Sequence, residues 1–312
     1  MQTIEKLVIT GSNGFVGQSL LRYLDALGAN ERPQKIITLN RSDYSKEVLA
    51  RYPNLNIEYR LENLEQNWDF KISDAHLINL AADGSANAYS QDASNLFMRI
   101  GKNCADWIKQ NEPLKVFHAS SGASFGVLPL DTDSEFRTDH GPSVAKQKFI
   151  ESRLTVENTL TALGKELGSD IAIGRLFSFI GPNILKKDQY AVTSFIKGAV
   201  ELNSIKVNGN PSTVRSYLHE SDLSLWILRS LELANLTTTF SIGSSIKVTI
   251  SELAEFIATA TGAKIEYLNP NAPGDVYSAD NAATLESLGV TETKNWQDAV
   301  IECIEIVKGK KN

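Results

Sequence analysis

Thr10-Gly-Ser-Asn-Gly-Phe-Val-Gly17 decides the fold. It follows a short apolar run, Lys6-Leu-Val-Ile-Thr10, and opens a stretch of helical periodicity that lasts to about Leu27. Glycines at this spacing between a strand and a helix have separate tasks. Gly11 permits a tight turn, Gly14 lets the backbone approach a diphosphate, and Gly17 lets helix and strand pack closely. The helix start adds free N–H groups and the positive end of its dipole, so the turn reads as the pyrophosphate site of a dinucleotide, with Asn13, Phe15 and Val16 completing the loop. The residue that meets the adenosine ribose ends the second strand, about 20 positions further on. There the chain reads Asn40-Arg41-Ser42: a neutral amide, a cation and a hydroxyl that together suit a 2′-phosphate. NADP is therefore the expected cofactor, with NAD the alternative, because Arg41 also reads as a solvated surface charge.

Beyond this turn, short apolar runs alternate with helix-length stretches. The runs are Lys35-Ile-Ile-Thr-Leu39, Ile57-Glu-Tyr59, His76-Leu-Ile-Asn-Leu80, Leu114-Lys-Val-Phe-His118 and Asp170-Ile-Ala-Ile173, with helical segments around 88–110 and 143–168. Such runs are strands covered on both faces, which predicts an α/β fold: a doubly wound parallel sheet of Rossmann type. After Arg175 the rhythm loosens into a smaller interleaved C-terminal α/β lobe. Helices are expected at about 190–202 and 221–235, a strand near 240–242 and another at 264–267, and a hairpin-type turn at Asn208-Gly209. The expected division is 1–176 as dinucleotide-binding domain, its sheet completed by about 216–244, with 177–215 and 245–312 as the substrate-binding lobe.

Of the 312 residues, 42% are hydrophobic and 22% charged, with 20 Gly and 9 Pro, which excludes disordered and collagen-like chains. A net charge of −6 repels the phosphate backbone of nucleic acid, and the one dense basic run, Lys308-Gly309-Lys310-Lys311, reads as a solvated tail. No apolar stretch reaches membrane-spanning length and Lys6 interrupts the N-terminus, so a cytoplasmic protein with no membrane partner is expected. Cys104 and Cys303 read as buried thiols, Trp68, Trp107, Trp226 and Trp296 as packing, and His76, His118 and His219 as strand residues; no metal-ligand set forms.

With these motifs in place the chain resembles the extended short-chain dehydrogenase/reductases, which modify nucleotide-linked sugars. Thr10–Gly17 resembles the family's TGxxGFxG turn, Asn79-Leu80-Ala81-Ala82 its HLAA, and Asn95 the Asn of NVxGT. The segment from His118 to Gly126 resembles SSxxVYG, with Phe125 for the Tyr. Arg175-Leu-Phe-Ser178-Phe-Ile-Gly-Pro182 resembles RxFNVYGP, Arg215 to Asp222 resembles RDFIHVDD, and Ser241-Ile-Gly-Ser244 resembles NIGSG. Asn63 sits where the family's Asp-Leu pair contacts adenine.

The resemblance implies catalysis by a Ser, a Tyr and a Lys four residues after it: the Lys lowers the Tyr pKa and the phenolate takes the sugar hydroxyl proton. Ser121 falls at the Ser position. Setting Lys148 at the Lys position aligns Val144-Ala-Lys-Gln-Lys148 with YGxSK, which makes the tyrosine Val144. Valine transfers no proton, so His140, Tyr89 and Tyr190 become the candidate substitutes. The expected function is an NAD(P)-dependent epimerase, dehydratase or reductase with a non-standard acid/base group. The alternative is a catalytically silent dinucleotide-binding or partner protein in which Lys148 only clasps the ribose. Arg215 is expected to hold a nucleotide diphosphate, or else to pair with Glu220 or Asp222 at the surface, and Ser178 replaces the family's Asn. The resemblance also implies a homodimer through the helices at 88–110 and 143–168. Leu96, Phe97, Ile100, Cys104, Ile108, Phe149, Leu154 and Leu160 would supply its seam, or face the sheet instead.

Overall fold

The structure, a computed structural model, describes residues 4–82, 90–125, 136–138, 144–186 and 188–309. The elements run in the order β1 (Lys6–Thr10), α1 (Phe15–Ala26), β2 (Lys35–Asn40), α2 (Ser45–Arg51), β3 (Ile57–Leu61), β4 (His76–Asn79), α3 (Gln91–Asn111) and β5 (Lys115–Ser121). Next come β6 (Phe136–Thr138), α4 (Val144–Leu167), β7 (Ile171–Leu176), β8 (Phe179–Ile180), α5 (Ala191–Leu202), β9 (Ser204–Val207), β10 (Val214–Arg215), β11 (Leu218–His219) and α6 (Glu220–Glu232). The chain closes with β12 (Thr237–Ile242), β13 (Val248–Thr249), α7 (Ile250–Thr261), β14 (Lys264–Tyr267), β15 (Asp275–Tyr277), α8 (Ala282–Leu288) and α9 (Trp296–Gly309).

The chain divides into two compact units. One comprises Met1–Ser124, Ser143–Leu176 and Ser224–Phe240; the other comprises Phe125–Pro142, Phe177–Leu223 and Ser241–Asn312. The expected boundaries shift at three places: 125–142, 216–223 and 241–244 fall in the second unit. Backbone pairing explains the first shift, because β6 pairs antiparallel with β15 in that unit.

The first unit carries the expected sheet, seven strands in the order β12-β7-β5-β4-β1-β2-β3. Its central strands are apolar on both faces because helices cover both: Leu7, Val8, Ile9, Leu77, Ile78, Val116 and Phe117 are fully buried. Six of the eight residues expected in a dimer seam pack in or against this core. Phe97, Ile100, Cys104 and Ile108 of α3 and Leu160 of α4 pack with Val8, Leu77 and Val116, and Leu96 packs against the same cluster. Each such side chain contributes about 1.5–3 kcal/mol by leaving water, so the apolar stripe of these helices is committed to folding. Trp68 and Trp107 pack in the same core, their indole N–H groups donating to the carbonyls of Leu64 and Phe70.

The second unit holds a four-stranded sheet in the order β13-β10-β15-β6 and two small parallel pairs, β11 with β8 and β14 with β9. Asn208-Gly209 therefore makes no hairpin, because β9 pairs in parallel with β14 and not with β10. The helix α7 starts at a capping box, in which the Thr249 hydroxyl accepts from the Glu252 N–H and the Glu252 carboxylate accepts from the Thr249 N–H. Among the described residues no helix is long and apolar enough to cross a membrane.

Candidate functional site

The glycine turn leaves β1 at Thr10 and is closed by its own backbone. The Gly11 N–H donates to the Leu39 carbonyl at 3.1 Å, and the Gly14 N–H donates to the Gly11 carbonyl at 3.0 Å. Gly11 has φ +68°, and a methyl there would lie 3.0 Å from the backbone of Leu80 and Ala81. A methyl at Gly17 would lie 2.5 Å from Ser12 Cα. Both glycines are thus demanded by close backbone approach. Gly14 is exposed and precedes α1, which has no side-chain cap and no acid in its first turn, so the positive end of this helix suits an anion. The turn faces Leu80-Ala81 across β1 and β4, where the strand order reverses and ligands of such sheets bind.

At the end of β2, Asn40 is buried and faces the turn. Its Oδ1 accepts from the Ser12 hydroxyl at 3.0 Å and the Asn13 N–H at 3.2 Å. The Asn13 amide donates to the Tyr59 hydroxyl at 2.7 Å and to the Ser42 carbonyl. Asn40 Nδ2 and Asn13 Oδ1 remain buried without a hydrogen-bond partner among the described residues. One donor and one acceptor left open beside a phosphate cradle fit the adenosine end of a dinucleotide. Arg41 is 76% exposed, 3.8 Å from Glu65. Asn63 uses its carbonyl on the Glu65 N–H.

The next strands continue the edge. Thr10, Asn79 and His118 lie side by side on β1, β4 and β5. The Thr10 hydroxyl donates to Asn79 Oδ1 at 2.6 Å and accepts from the Leu80 and Ala81 N–H groups, so the loop to Ala82 is tied to the turn. The Asn79 amide donates to His118 Nδ1 at 3.0 Å, which puts the ring proton on Nε2. Burial, and then the Arg153 cation, pushes the His118 pKa down to about 3, so the ring is neutral. Its Nε2 is buried with no partner among the described residues, so His118 is only half satisfied.

Ser121 ends β5, and its hydroxyl oxygen accepts from the Ala123 N–H at 3.2 Å. Beneath it lies a network with no counterpart among the sequence expectations. The Ser120 hydroxyl donates to Glu157 Oε1 at 2.5 Å, and Arg175 grips Oε2 through Nε at 3.1 Å and Nη2 at 2.7 Å. This anchors α4 on β5. The anchored helix exposes Val144 to 74% and leaves Lys148 exposed, while Phe149 and Arg153 are buried at 8% and 6%. Two pairs on this helix share the four-residue spacing: Val144 and Lys148 lie at the surface, whereas Phe149 and Arg153 are buried. Tyr190 belongs to the second unit, 45% exposed just before α5. His140 and Tyr89 lie outside the described residues. Asn95 accepts from Gln91 one helical turn away.

In the second unit Arg215 pairs with Asp275 at 2.6 Å, 60 positions on, and with neither Glu220 nor Asp222. Glu220 accepts from Asn183, and Asp222 accepts from the Thr293 hydroxyl and N–H. Ser178 offers its carbonyl to the Leu218 N–H. His219 Nδ1 accepts from the Ser221 N–H, leaving Nε2–H for Glu302 at 3.0 Å.

A strand–turn–helix cradle at the switch point of a parallel sheet, followed by this ordered edge, defines a dinucleotide-binding α/β protein. The chain matches the NAD dependent epimerase/dehydratase family over residues 7–243, and it belongs to that family. It is 23% identical over 274 residues to UDP-glucuronic acid decarboxylase 3 of Arabidopsis thaliana, covering 86% of this chain and 79% of the relative. It is likewise 23% identical to dTDP-4-dehydro-6-deoxyglucose reductase of Escherichia coli, covering 97% and 98%. Its fold superposes on UDP-N-acetylglucosamine 4-epimerase from Methanobrevibacter ruminantium M1 with a TM-score of 0.82 at 18% identity, covering 99% of both chains. dTDP-glucose 4,6-dehydratase from Bacillus anthracis, solved with NAD, superposes with a TM-score of 0.77 at 18% identity, covering 98% and 97%.

Proposed function

We propose that this protein binds a nicotinamide dinucleotide, NADP in preference to NAD, and acts on a nucleotide-linked sugar as an epimerase, dehydratase or reductase. The observation that carries this is the cradle: Gly11 held against Ala81 at φ +68°, with Asn40 Nδ2 and Asn13 Oδ1 left open beside it. The dinucleotide supplies a hydride donor or acceptor when bound. The protein's own groups bind and orient. The turn and the start of α1 hold the diphosphate, Asn40 and Asn13 meet the adenosine ribose, and the Ser121 hydroxyl orients a substrate oxygen.

NADP is favoured because no carboxylate ends β2 to repel a 2′-phosphate, and because an exposed Arg41–Glu65 contact at 3.8 Å costs little to exchange for one. Relatives named for UDP- and dTDP-linked sugars support the substrate class, and Arg215 is the group we assign to the diphosphate. A homodimer through α3 and α4 would meet across their polar outer faces, which light scattering on the purified protein tests.

A second reading, a silent dinucleotide-binding protein, is favoured by the absence of a phenol at either Val144 or Phe149. Mixing the protein with NADPH and a panel of nucleotide 4-keto-sugars, and following nicotinamide absorbance, separates the two. Consumption with any sugar supports the enzyme; tight NADPH binding without consumption supports the silent reading.

A further inference from the structure

We infer that Arg153, and not Lys148, is the cation this protein presents to the nicotinamide ribose of its dinucleotide, and that Phe149 stands one helical turn before it where a proton-transferring phenol would otherwise be. This rests on the dinucleotide reading and assigns the cation of that same site.

The rotation of α4 carries the inference. Glu157 is fixed to Ser120 of β5, and Val156 lies so close to α3 that a methyl at Gly101 would come within 2.5 Å of it. Positions 149, 153 and 157 recur every four residues and share one stripe of the helix. The helix connects the parallel strands β5 and β7 and so runs back against them. Position 153 therefore lies about 6 Å beyond 157 toward the C-terminal edge of β5, and 149 about 12 Å beyond. That is the edge on which the glycine turn lies. Val144 and Lys148 sit off this stripe, and both are exposed.

Arg153 is also built in. Its guanidinium carbon lies 3.5 Å from the Phe97 ring centroid and 4.1 Å from that of Phe149, and Nη1 donates to the Ser152 hydroxyl at 3.2 Å. Phe97 packs in turn on His118, with ring centroids 5.7 Å apart, so the open Nε2–H of His118 lies in the same locus. A cation desolvated between aromatic faces, beside an unsatisfied donor, is an arrangement for a polar ligand. The sequence agrees: Phe149-Ile-Glu-Ser-Arg153 matches YGxSK at its Ser and replaces the Tyr and Lys, whereas Val144-Ala-Lys-Gln-Lys148 has no Ser.

The replacement has a chemical consequence. A guanidinium offers forked donors that span two neighbouring ribose hydroxyls, and it stays protonated at any working pH. Phenylalanine has no proton to give. This helix face therefore binds the dinucleotide without moving a proton, and any proton transfer in the reaction comes from another element.

The test measures NADPH affinity by fluorescence titration for wild type, Arg153→Lys, Arg153→Ala and Lys148→Ala, with circular dichroism to check folding. Arg153→Ala is expected to weaken NADPH at least tenfold more than Lys148→Ala, with Arg153→Lys recovering part of the loss. Equal losses, or a larger loss at Lys148, overturn the inference. Wild type that ignores both NADPH and NADH overturns the dinucleotide reading instead. A ligand-free measurement covers a misfolded Arg153→Ala. The phenol of Phe149→Tyr should titrate lower with Arg153 present than in the double variant with Arg153→Gln, which removes the charge, and the double variant with Arg153→Lys should stay below the Gln variant. Identical titrations with Arg153 and with Gln overturn the assignment.

Discussion

Ser120 and Glu157, 37 positions apart, share a hydrogen bond of 2.5 Å that fixes the rotation of α4 on β5. The other carboxylate oxygen is held by Arg175, so a single buried acid ties the helix to two neighbouring strands. Which side chains of α4 face the strand ends follows from this contact.

Removing that acid should therefore be costly. Glu157→Ala removes the carboxylate that Ser120 and the mostly buried Arg175 both grip, and a loss of about 3–5 kcal/mol is expected in urea unfolding. Glu157→Gln keeps a hydrogen-bonding side chain in place and should lose less. A loss below about 1 kcal/mol for Glu157→Ala would show that the network does not anchor the helix.

The glycine turn allows a matched pair of substitutions. Gly17→Ala drives a methyl to within 2.5 Å of Ser12 Cα, and a loss of about 1–3 kcal/mol with weakened dinucleotide binding is expected. Gly28→Ala meets only the movable tip of the Glu31 side chain and should change stability by no more than about 0.5 kcal/mol. Thermal unfolding of the two variants with and without NADPH checks both.

Coenzyme choice is tested at Arg41. If its guanidinium meets a 2′-phosphate, Arg41→Ala removes charge-assisted hydrogen bonds worth about 1.5–3 kcal/mol, and NADPH affinity should fall about 10- to 150-fold. NADH, which lacks that phosphate, should be nearly indifferent. Calorimetric titrations showing equal losses for both coenzymes would refute the preference.

A pH dependence follows from His118. Its pKa lies at about 3 in the folded protein against an ordinary 6.5, so the unfolded chain binds the extra proton between these values. Stability contributed by the neutral ring is complete above about pH 6.5 and declines as the pH falls toward 3, by about 1.4 kcal/mol per pH unit from this one group. His118→Gln, which still offers Asn79 an acceptor, should flatten urea-unfolding stability between pH 6 and 4 relative to wild type. Identical slopes would exclude the assignment.

The sheet and the phosphate turn could be read from the chain because neighbouring residues determine both. Val8 and Ile9 are apolar on either face of one strand, and Gly11, Gly14 and Gly17 need only a strand before them and a helix after them. Arg215 was legible as a charge but not as the partner of Asp275, because the two lie 60 positions apart. The rotation of α4 was likewise hidden: 144 with 148 and 149 with 153 are both helical spacings, and a helix repeats its geometry at every residue. Only contacts made after folding, of Glu157 with Ser120 and of Arg153 with Phe97, break that equivalence and turn one stripe inward. Local spacing thus determined the glycine turn between strand and helix, whereas packing between distant segments decided which stripe of α4 turns inward.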